Sequence, residues 1–134
     1  MIFKKLEDHP KLWLGLTLVW MIVIFIFSTN FFSSERTTAK IDTSIPLRSL
    51  AHLFVYFVLG FLVSRAVKLN FDWKHKLLAA FFFCLFYAFT DKLHQFFETE
   101  RRFRLIDIAT DTIGSFAGIL LYNLPLRIKH HREE

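Results

Sequence analysis

Apolar residues along the chain fall into four runs, at about 12–27, 53–63, 77–89 and 113–126, separated by polar and charged connectors. The first run is interrupted only by Thr17 and leads through Ser28-Thr29-Asn30 into Phe31-Phe32. A helix that crosses a bilayer needs roughly 20 predominantly apolar residues. The other three runs fall short of that, and each reaches it only by taking its polar flank into the membrane. The flank of the second holds Arg48 and His52, that of the third Thr90, Asp91, His94 and Gln95, and that of the fourth Asp107, Thr110 and Asp111. Chain length against hydrocarbon thickness therefore predicts ionisable groups below the headgroups rather than in loops. The expected helices span about 12–32, 47–67, 76–97 and 105–126, within a single domain covering 1–134. The fold class is all-α, a four-transmembrane-helix bundle.

Composition narrows the class further. Of 134 residues, 54% are hydrophobic and 18 are Phe, more than a soluble domain of this size would cover. The net charge of +5 comes from Lys and Arg that flank the apolar runs. They form no basic, base-stacking surface, so the expected partners are membrane lipids and not nucleic acid. Lys4 and Lys5 ahead of an apolar run resemble a signal peptide. The run is long for one and no Ala-x-Ala-like site follows it, so a retained helix is expected. Cys84 is the one cysteine, which rules out an intrachain disulfide, and its apolar neighbours suggest an inert buried thiol.

Lys and Arg crowd the N-terminus, the connector at 64–76 and the C-terminal tail, which places both termini in the cytoplasm. All three polar flanks then lie in the outer leaflet, where Ser28, Thr29 and Asn30 also arrive. The location expected is a cell membrane, multi-pass. On helix faces, Asp91, His94, Gln95 and Glu98 share one stripe, Arg48 and His52 a second, and Asp107, Thr110 and Asp111 a third. The third continues into Gly114-x-x-x-Gly118, small residues that allow a neighbouring helix close. The acids on that face are thus expected to point into the bundle. Arg101, Arg102 and Arg104 lie between the third and fourth helices. Guanidinium groups suit phosphate or carboxylate. Arg102 and Arg104 read as interfacial anchors.

These residues resemble the VanZ-like family of small bacterial membrane proteins. The resemblance rests on Asp91-x-x-His94-Gln95, then Arg101, Asp107, Asp111 and Gly114, preceded by Arg48-x-x-x-His52 and the stretch from Trp20 to Ser28. Two places depart from the family pattern: Lys92 stands where an acidic residue is common, and Thr99-Glu100 where a Pro-Gly turn precedes the arginine. The resemblance implies an envelope role at the outer membrane–water interface, the family's name coming from a protein linked to resistance to the antibiotic teicoplanin.

The residues leave three readings open. The first is an outer-leaflet site for an anionic, envelope lipid-linked group or an amphiphilic antibiotic, built from Arg48, His52, Asp91, His94, Gln95, Arg101, Asp107 and Asp111. The second is an enzyme acting on a lipid phosphate or glycolipid, with His52 or His94 as base or nucleophile oriented by a carboxylate. The third is structural, the polar groups serving as interhelical glue. No compact metal motif, phosphate loop, dinucleotide fingerprint or Ser nucleophile motif is present, and the sequence assigns neither a metal nor a cofactor. His9, His75, His130 and His131 read as solvated helix-end groups, and Trp13, Trp73 and Tyr122 as interface anchors or packing residues.

Overall fold

A computed structural model describes residues 9–28, 44–67, 72–97 and 105–132, without the side chains of 44–48, 125–127 and 129–132. Apart from His9, Val67 and Asp72 at their margins, the described residues are helical: α1 (Pro10–Ser28), α2 (Ser44–Ala66), α3 (Trp73–Phe97) and α4 (Leu105–Arg132). The helix starts follow from local chemistry. Pro10 opens α1, where a missing N–H removes no intrahelical bond. Asp72, a favoured N-cap residue type, precedes α3, and its carbonyl accepts the Lys76 N–H at 3.2 Å. Each helix is long and apolar enough to cross a membrane, the qualifying stretch of α2 beginning at Ser49. The last helix runs past Leu126, through Pro125, to Arg132.

The outer faces carry large apolar side chains, including Phe82, Phe86, Phe89 and Ile113, as expected of surfaces that meet lipid tails. The interior instead takes small or polar residues at four-residue steps. On α3 the buried stripe is Ala80, Cys84, Ala88 and Lys92, with Asp91 and Gln95 beside it. On α4 it is Asp107, Asp111, Ser115, Ile119 and Asn123. Tyr56, Leu59 and Val63 of α2 fill the space between, and Cys84 is fully buried.

The packing has a clear hierarchy. The α2–α4 pair makes the most extensive interface, α2 also touches α1 and α3, and α1 meets α3 least. Glycines explain the first of these. A Cβ on Gly118 would sit 2.0 Å from the Phe57 carbonyl oxygen, on Gly114 2.3 Å from that of Leu53, and on Gly60 2.2 Å from that of Ser115. Backbone lies against backbone along this seam, so dispersion is gained without a side chain in the way. The Gly114-x-x-x-Gly118 face does pack inward with the acids, and Gly60 supplies the matching gap on α2.

Candidate functional site

Several of the polar groups that flank the short apolar runs meet at one end of the bundle. It is formed by the C-terminal ends of α1 and α3 and the N-terminal halves of α2 and α4. Asp91 and Asp111 each sit six residues inside their helix ends, roughly 9 Å along the axis at 1.5 Å per residue. Asp111 is wholly buried, Asp91 4% exposed and Lys92 only 2%.

Lys92 is the centre of this cluster. Its Nζ lies 2.9 Å from Asp111 Oδ2 and 3.8 Å from Asp91 Oδ2, tying α3 to α4. The shorter approach lacks hydrogen-bond alignment, so it is an ion pair held by charge rather than by a directed bond. The other oxygen of Asp111 faces His52 Nδ1 of α2 at 3.2 Å. Asp91 Oδ2 accepts from Tyr56 Oη of α2 at 3.3 Å and from Gln95 Nε2 at 2.9 Å. Gln95 Nε2 also donates to Ser28 Oγ at the end of α1. One connected network thereby reaches all four helices. Asp91 Oδ1, also buried, has no hydrogen-bond partner.

The remaining expected residues are placed as follows. His94 is half-buried, with its ring centroid 4.8 Å from that of Phe25 on α1. Asp107 is buried one turn before Asp111, and its backbone carbonyl accepts from the Thr110 hydroxyl at 2.9 Å. Thr90 is exposed and bonds its own helix at Phe86 O, outside the network. Arg48 belongs to α2, but its side chain lies outside the described residues, as do Glu98, Arg101, Arg102 and Arg104. The structure thus joins His52 to Asp111 and Gln95 to Asp91, the two pairs linked through Lys92, with Asp107 and His94 at their margin.

Sequence reasoning names Lys92 only as a departure from the family pattern and leaves it out of the site, whereas the structure puts it at the centre. The signal was available: Lys92 is four residues beyond Ala88, on the line of small residues that runs from Ala80 through Cys84. A small-residue stripe is a packing face, and its next member is interior. Tyr56 was missed because a tyrosine within an apolar run looks like any other core aromatic.

The opposite end of the bundle is built differently. Asn123 Nδ2 donates to Ile119 O at 2.8 Å and approaches Ser64 Oγ at 3.4 Å. The Arg65 guanidinium lies 4.2 Å from the Trp13 ring centroid and 5.6 Å from that of Tyr122. Trp13 and Tyr122 thus act as packing partners of a cation. Among the described residues no group of three or more His, Cys, Asp or Glu could hold a metal ion. At the polar end the charge partner of Asp91 and Asp111 is Lys92.

The sequence model of the VanZ/LLP1 family matches residues 13–126. The chain belongs to the VanZ/LLP1 family. No curated protein and no solved structure matches it. The matched stretch takes in all four helices and every member of the network, so this VanZ/LLP1 protein carries its ion-paired cluster within the family domain. Four apolar helices together with the family make it a multi-pass membrane protein.

Proposed function

We propose that this VanZ/LLP1 protein holds an anionic, envelope lipid-linked group, or an amphiphilic antibiotic of the glycopeptide type, at the polar end of its bundle. In this reading both termini are cytoplasmic and the polar end faces outward in a bacterial cytoplasmic membrane. Arg48, His52, Asp91, His94, Gln95, Arg101, Asp107 and Asp111 form the site, with Arg101 as the guanidinium that meets the ligand. One observation carries it: three helices meet at a single level around Lys92, Asp91 and Asp111, each less than a twentieth exposed. Ionisable groups at membrane depth are expensive and mark functional sites by default. As glue they would be poor value, since an interhelical hydrogen bond contributes only about 0.6 kcal/mol on average.

The test uses three of the proposed site groups other than Lys92, Asp91 and Asp111. Asp107→Asn, His94→Gln and Arg101→Gln are expected to abolish the envelope phenotype, read as susceptibility to teicoplanin, while membrane abundance stays at the parental level. Abundance falling in step with activity would favour the structural role instead. Native mass spectrometry of gently extracted protein identifies which lipid co-purifies, and its loss from the His94 variant locates it.

The His52–Asp111 contact at 3.2 Å favours a second reading. A carboxylate on Nδ1 fixes an imidazole's tautomer and orientation, the arrangement a general base needs. In this alternative the protein hydrolyses or transfers a lipid phosphate, with His52 as base. Purified protein in vesicles would then turn over a lipid phosphate, and His52→Gln would stop it; an absence of turnover ends this alternative and leaves the binding reading standing.

A further inference from the structure

We infer that the ligand reaches this site sideways, from the bilayer, through the seam between α1 and α3; the inference rests on the binding reading above. The seams between helices differ in what closes them. The α2–α4 seam is shut by backbone contact at Gly60, Gly114 and Gly118. The α3–α4 seam is pinned by Lys92 on Asp111, and α2–α3 by Tyr56 on Asp91. Between α1 and α2, the Trp20 indole donates to Val55 O at 3.0 Å. The α1–α3 seam is the least extensive interface in the bundle, and α1 buries only Thr17, Ile24 and Ser28. At the polar end it is closed by the neutral Gln95–Ser28 hydrogen bond and by the Phe25–His94 ring contact.

Directly behind that closure stands the ion-paired network. Gln95 spends one N–H on Ser28 and one on Asp91. Swinging the end of α1 aside breaks the first of these, so the freed N–H and the Ser28 hydroxyl can donate to a phosphate or carboxylate oxygen. His94 is uncovered in the same movement. Asp91 Oδ1, buried and without a hydrogen-bond partner, becomes an acceptor for a hydroxyl of the incoming headgroup. The ligand class this geometry fits is an amphiphile already dissolved in the bilayer. Its anionic headgroup also carries hydroxyls, and its tail remains among lipids along α1 and α3. Motions that open and close such access paths gate many binding sites.

A reversible lock tests this. In a Cys84→Ala background, Met21→Cys and Tyr87→Cys, at positions that hydrogen-bond across this seam two turns deeper, are joined by a short bifunctional thiol reagent with a cleavable disulfide spacer. The protein is held in phosphatidylcholine vesicles containing phosphatidylglycerol with a photoreactive acyl chain, a probe with both an anionic phosphate and hydroxyls. Labelling that unlabelled phosphatidylglycerol competes away is read before locking, after locking and after reduction. Locking is expected to lower the competed label on α1 and α3 roughly tenfold, and reduction to restore it. Should the unlocked double variant itself fail to label, the position of the competed label in the parental chain decides instead: label on α1 and α3 supports entry at this seam, and label confined to α2 and α4 overturns it. Competed labelling that persists in the locked protein overturns lateral access while leaving the binding site intact. Absence of competed labelling in the parental chain overturns both.

Discussion

The two ends of this bundle bury polar groups by opposite means. At one, carboxylates and an amine are drawn well inside the helices and answer one another: Lys92 with Asp111 and Asp91, His52 with Asp111. At the other, the cation stays half-buried and lies on aromatic faces, and the buried groups, Ser64 and Asn123, are neutral. Desolvation decides which solution each end can use. A charge that keeps partial access to water can draw support from a polarisable face. A charge withdrawn from water needs a countercharge at ion-pair distance, because its hydration is lost outright.

The largest effect expected from breaking this contrast comes from Lys92→Met. Methionine preserves much of the side-chain volume but leaves Asp91 and Asp111 facing each other without their cation. Removing one partner of a buried pair typically costs about 3–5 kcal/mol. The variant should therefore fall in membrane abundance and unfold earlier in a denaturing-detergent titration. Lys92→Met combined with Asp111→Asn should recover a substantial part of the loss, because the uncompensated charge is then gone. If the single variant is as stable as the parent, Lys92 is not the keystone of the polar end.

Much of this architecture was legible in the sequence, and the part that was not has a physical reason. Four helices, their polar flanks and the inward Gly114–Gly118 face follow from bilayer thickness and helical periodicity, both local properties of the chain. That His52 meets Asp111 rather than Asp107, or that Tyr56 meets Asp91, depends on the rotation of one helix against another, which no single helix encodes. Lys92 was left out of the site for a different reason. Lysine is so common a flanking cation that its type outweighed its position, although the step from Ala80 through Cys84 and Ala88 pointed inward. In a membrane helix, the stripe a residue falls on says more about burial than its residue type does.

A smaller effect is expected at His52, where the comparison sharpens within the polar end itself. His52→Ala removes one partner of Asp111 but leaves Lys92 at 2.9 Å, so the carboxylate keeps its cation. The loss is that of a hydrogen-bond partner to a buried charged group, about 1–3 kcal/mol. In the detergent titration this variant should lie between the parent and Lys92→Met. A loss equal to that of Lys92→Met would mean that His52, and not the lysine, neutralises Asp111. The pairing hierarchy within the cluster would then be reversed.

The smallest effect belongs to the opposite end. Arg65→Gln keeps a polar group at the membrane boundary and gives up the charge stacked on Trp13 at 4.2 Å. Such contacts contribute about 0.5–1 kcal/mol where water still reaches them. The expected shift is thus several-fold smaller than at Lys92, with no change in envelope phenotype, because the polar end is untouched. Arg65→Lys separates charge from stacking: a lysine keeps the first but lacks the planar guanidinium that can stack on an aromatic face. If stacking is what holds Arg65, both variants should lose similar amounts, and Trp13→Leu should match them. If Arg65→Gln alone destabilised the protein as much as Lys92→Met does, then countercharge would govern this end as well. The two ends would no longer differ in kind, and the argument that a deeply buried charge cluster marks function rather than anchoring would lose its control.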